Sequence, residues 1–207
     1  GLAYATSYNT TVYGNYKEVA AQTREAYSKA LAIDPNQTDA LLAKSFDRIM
    51  TDFDYADADV LLRKARSLEQ NKVLVVDFAW WAFLLPQKRY DEGLRLLQEL
   101  EQEDPLSFLT KQGIGFMLYY LDRYDEAMVK FKEGLELNPS DLIAYSQLVP
   151  IYIKKGMFTE AENAIRIMEN IGGEDFFMTL VVRFLWYHNQ GEYAKAEIIQ
   201  QRLKHSY

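Results

Sequence analysis

The sequence predicts an all-α protein built as a row of antiparallel helix pairs, and two observations carry that expectation. A pattern of apolar and small residues recurs about every 34 residues, with closing prolines at Pro105 and Pro139. Each period holds two stretches of helical apolar spacing, each about a dozen residues long, parted by a short polar turn. Composition agrees. The 207 residues are 49% hydrophobic and 26% charged, which is enough apolar mass for a substantial core and excludes a disordered tail.

The pairs fall at approximately 2–34, 37–70, 73–104, 107–138, 141–172 and 175–206, giving about twelve helices in one array over residues 1–207. In the first pair only the second helix reads cleanly, through REAYSKALAIDP to Pro35; Tyr4, Tyr8 and Tyr13 precede it. The second carries Ala58 and Ala65, small residues where two backbones must approach. It is one residue long around Phe53-Asp54, so its turn is expected to differ. The third has Trp80, Leu84, Tyr90, Gly93 and Leu97, closing at Asp104-Pro105. The fourth, Phe108 to Pro139, is the clearest, with Ile114-Gly115, Leu118, Tyr124, Ala127, Phe131 and Gly134. The fifth repeats it with Tyr145, Leu148, Tyr152, Gly156, Phe158, Ala161 and Ile165. Pro150 sits inside its first helix, where the missing N–H is expected to kink it. The sixth has Tyr187, Gly191, Tyr193, Ala196 and Gln200, and Ile171-Gly172-Gly173 before it reads as a helix stop.

These residues resemble the tetratricopeptide repeat (TPR), W-x2-L-G-x2-Y…A-x3-F…P, over roughly Leu2 to Leu203. The resemblance implies a right-handed superhelix whose concave wall is lined by the first helix of each pair. Trp81 departs from it, standing where the family prefers a small residue, and a locally splayed third pair is expected. A narrower resemblance links FDYADADVLLRKARSLEQNK, RYDEGLRLLQELEQEDPLS and RYDEAMVKFKEGLELNP to the C-terminal TPR arrays of bacterial signalling proteins. Those arrays follow a nucleotide-cyclase, kinase or winged-helix domain.

The register implies two inward series: Leu42, Phe78, Gln112, Ser146, Val181 and Phe46, Ala82, Phe116, Pro150, Leu185, with Tyr119 and Tyr120 one turn on. The expected partner-binding groove is Leu42, Phe46, Phe78, Gln112, Phe116, Tyr119, Tyr120 and Ser146, apolar and aromatic, suited to a peptide or helix with hydrophobic anchors. The competing reading is that aromatics at helical spacing simply fill the core. The Lys/Asn/Arg carboxylate clamp of chaperone-binding TPR domains is missing: its positions hold Tyr8, Val12, Ala43, Val75 and Ala79.

A net charge of −7 and the lack of a basic stripe argue against nucleic acid and against the RNA-reading pentatricopeptide relatives. There is no cysteine, and Gly113-Ile114-Gly115 lacks the strand and third glycine of a dinucleotide loop. His188 and His205 are the sole histidines, read as a helix end and a terminal residue rather than metal ligands. No catalytic residue, cofactor or metal is expected. The most apolar windows, Val73–Leu85 and Phe176–Tyr187, are shorter than the roughly 18–20 residues of a membrane helix. Asp77 and Arg183 interrupt them, each expected to face solvent or an opposite charge.

The expected function is a non-catalytic protein–protein interaction scaffold. The alternative is a regulatory or oligomerisation module of a larger bacterial signalling protein, dimerising through array ends near Ile198, Ile199 and Leu203. Gly1 in place of methionine reads as a fragment of a longer protein, expected in the cytoplasm.

Overall fold

The computed structural model describes residues 16–68 and 79–206. Those residues contain ten α-helices and two π-helical turns, and no strand among them. In chain order the α-helices are α1 (Tyr16–Ile33), α2 (Thr38–Asp47), α3 (Tyr55–Leu68), α4 (Tyr90–Glu103), α5 (Phe108–Tyr120), α6 (Tyr124–Leu137), α7 (Leu142–Lys154), α8 (Phe158–Gly172), α9 (Phe177–Asn189) and α10 (Tyr193–Ser206). The first helix of the opening pair, with Tyr4, Tyr8 and Tyr13, lies outside the described residues, as do Phe78 and Asp77. The chain divides into two compact units between Leu96 and Leu97, inside α4.

Helix starts and turns repeat as the sequence does. Gln37, Ser107 and Asp141 cap α2, α5 and α7, each side-chain oxygen accepting a backbone N–H of the first turn. The turns inside the second to sixth pairs each place one residue in the left-handed region: Phe53, Lys88, Asp122, Gly156 and Gly191. Only the last two pay no steric cost there.

In the first unit, Leu41, Leu42, Ile49, Ala58, Leu61, Leu62, Ala65, Phe83 and Leu84 form the core. Ala58 and Ala65 are fully buried, so the small residues do mark a close helix approach. The extra residue of the second pair is taken up by a π-helical turn at Arg48–Asp52, because an i→i+5 ladder holds one residue more per turn than an α-helix. A second π-helical turn covers Ala79–Leu84. There Trp80 is the buried indole, while Trp81 stands at the surface with its ring 6.1 Å from Phe46.

In the second unit the core is Leu97, Leu100, Ile114, Met117, Phe131, Leu148, Ile151, Ile165, Met168 and Leu180. Gly115 lets α5 approach the Phe131 ring so closely that a Cβ there would stand 2.7 Å from it. Pro150, expected to kink its helix, lies inside α7, which continues from Leu142 to Lys154. Arg183 has the opposite charge expected of it: its Nε donates to Glu169 at 2.9 Å.

Glu101 of α4, Lys111 of α5 and Lys130 and Glu133 of α6 close a ring of ion pairs at 2.8–3.3 Å. Burial pushes both carboxyls up, but hydrogen bonds from Lys130 and Lys111 outweigh it and hold both below the usual range. Burial lowers Lys130, and its bonds to Glu101 and Glu133 outweigh that and raise it. A carboxyl with a depressed folded pKa contributes stability above its unfolded value, and loses it as pH falls through the folded one. The ring should therefore add about 1 kcal/mol near neutrality, lost as pH falls through the depressed folded values of the two carboxyls. Urea midpoints against pH for the wild type and Glu101→Gln should differ at pH 7 and converge at pH 3; parallel curves would contradict this.

Candidate partner-binding surface

The groove residues expected from sequence divide into two groups. Leu42 belongs to the core of the first unit. Gln112 is 5% exposed, and its Nε2 donates to Asp141 Oδ2 at 2.6 Å, while Asp141 Oδ1 caps α7. That bond ties α5 to the start of the next pair's first helix, and it satisfies a polar group that would be costly to bury alone. Ser146 is also buried, its hydroxyl donating to the Ile143 carbonyl at 2.7 Å. These three side chains are therefore engaged within the protein.

Phe78 lies outside the described residues, and Phe46, Phe116, Tyr119 and Tyr120 reach the surface. Phe46 is half-buried against Trp81. Phe116 is half-buried and meets Phe131 edge-on, centroids 5.7 Å apart. Tyr119 lies edge-on to both Tyr120 and Tyr124, at 5.4 and 5.5 Å, geometries that aromatic quadrupoles favour. Burial, then the neighbouring phenols of Tyr124 and Tyr120, push the Tyr119 hydroxyl up. Tyr120 is 44% exposed. Lys154, at the end of α7, sits 3.9 Å above the Tyr124 ring and donates to its hydroxyl at 2.8 Å, which raises the ammonium's pKa.

Sequence reading missed Ile143 and Phe177, exposed apolar residues at or next to the starts of α7 and α9. Leu185, which the second inward series includes, is exposed further along α9. The signal was present: Leu109, Ile143 and Met178 recur at the repeat spacing, a third series beside the two that were read. Among the described residues no group of three or more His, Cys, Asp or Glu is placed to hold a metal ion, and no helix is long and apolar enough to cross a membrane.

No protein-family model matches the chain, and no curated protein sequence does. Solved structures do. PilF of Pseudomonas aeruginosa superposes with a TM-score of 0.73 at 22% identity, covering 100% of this chain and 88% of that one. PilW, a type IV pilus biogenesis factor, gives 0.74 at 15% identity, covering 89% and 84%. A tetratricopeptide repeat protein of Parabacteroides merdae gives 0.61 at 17% identity, covering 80% and 65%. At these identities the likeness is one of architecture: an all-α TPR-type solenoid of antiparallel helix pairs.

Proposed function

We propose that the chain is a non-catalytic scaffold that holds a polypeptide against the first helices of its second unit. One observation supports this most: Tyr120, Ile143 and Leu185, on α5, α7 and α9, are all exposed large apolar residues on successive first helices. Side chains of that type, spaced along one wall and bordered by half-buried aromatics, suit apolar anchors of a peptide or helix. Lys154, exposed at the end of α7, offers a donor to a partner carbonyl or carboxylate. Gln112 and Ser146 hold the wall together, and Phe116 and Tyr119 shape it.

A module that stacks end to end is supported less. Leu62, Leu97, Phe131 and Ile165 are buried at one register position of successive second helices, and α10 has exposed Gln200 there. A polar residue at that position leaves less apolar surface to cover.

Tyr120→Ser combined with Leu185→Ser tests the scaffold reading. Partners recovered from the source cell by the wild type should fall at least ten-fold with the variant, about 1.4 kcal/mol, while helix content stays unchanged. Equal recovery would remove the wall from the account.

A further inference from the structure

Phe53 is the residue whose conformation and exposure disagree most with its chemistry. It ends the π-helical turn Arg48–Asp52 with φ of 52°, the left-handed region, where a bulky residue is an outlier. The equivalent turns of the fifth and sixth pairs use Gly156 and Gly191. The strain is not repaid by packing, since Phe53 is 73% exposed. Met50, three residues earlier, is also exposed, and Phe46 lies one further turn back against Trp81. An apolar ridge thus runs along this end of the first unit.

Its rim is acidic. Arg24 pairs with Asp47 and Asp52, and Arg48 pairs with Asp52 and Asp57. Asp54 adds a fourth carboxylate, its Oδ1 accepting the Asp57 N–H. Two guanidiniums stand against four carboxylates, so the surplus around the ridge is negative.

The geometry points to a second docking site here, for an amphipathic segment of a partner that offers apolar residues flanked by lysine or arginine. Phe53 is its anchor, held forward by the strained turn, and Asp52 and Asp54 select the basic flank. This site is separate from the wall of the second unit and stands or falls without it.

The test uses the full chain and three synthetic peptides: a Leu/Lys amphipathic helix, the same with Glu for Lys, and the same with Ser for Leu. Fluorescence anisotropy should give binding of the Leu/Lys peptide at least ten-fold tighter than either control. Phe53→Gly should weaken that peptide at least five-fold while raising the unfolding temperature, because glycine relieves the turn. Phe53→Asn, which also tolerates the left-handed region, should weaken binding similarly. Asp52→Asn with Asp54→Asn should narrow the gap between the Lys and Glu peptides. Equal affinity for the Lys and Glu peptides, or unchanged affinity in both Phe53 variants, would overturn the proposal. So would binding of the Ser/Lys peptide as tight as that of the Leu/Lys peptide, which would reduce the effect to bulk charge.

Discussion

Phe131→Ala should cost on the order of 3–5 kcal/mol, the largest loss expected from any single truncation in the second unit. The ring is 0% exposed, edge-on to Phe116 and seated against Gly115 of the facing helix. Truncation deletes the ring's burial and leaves a cavity between α5 and α6 that the packed helices only partly collapse to fill. Urea unfolding followed by circular dichroism reads the loss, and hydrogen exchange locates it: amides of α5 and α6 should lose protection first. A loss under about 1 kcal/mol would mean that the ring does not hold this pair together.

Gly115→Val should come next, through the opposite fault. A Cβ at this position would lie 2.7 Å from Phe131 Cε1 and 2.9 Å from its Cδ1. No rotamer of the new residue escapes, because the clash is at Cβ itself, and the ring is enclosed on its far side. Overpacking of this kind costs about 1–3 kcal/mol, and the branched side chain of valine takes it to the upper end or beyond. The two sites share one contact, so their effects should not add. Gly115→Ala with Phe131→Leu should be more stable than the sum of the single losses allows, because the smaller side chain vacates the space that Cβ needs. Strict additivity would contradict the contact.

Why some features were readable follows from the same geometry. Gly115, Ala127, Phe131 and Gly134 could be read because a stacked helix pair demands small and large residues at fixed offsets, whatever lies around it. The extra residue near Phe53 was also visible, since a repeat with one residue too many must place it somewhere. Its form, a π-helical turn, depends on which hydrogen bonds the local packing allows, and spacing alone does not fix that.

The surface proposed to hold a partner was legible only in part. Helical periodicity distinguishes an inward series from an outward one, but not a buried polar tie from a ligand contact. Gln112 and Ser146 share the spacing of groove residues, yet each finds its partner inside the protein. Whether a polar side chain meets Asp141 or solvent is decided by a residue 29 positions away, beyond any local pattern.

The scaffold reading is tested most directly by site-specific photocrosslinking in the source cell. A photoreactive phenylalanine analogue would replace Tyr120 on α5 or, as the control, Val129 on α6, both exposed in the structure. The account predicts a discrete adduct with a defined polypeptide from position 120 and none of it from position 129. Identical adducts from both positions, or none from either, would contradict a partner seated on the first helices.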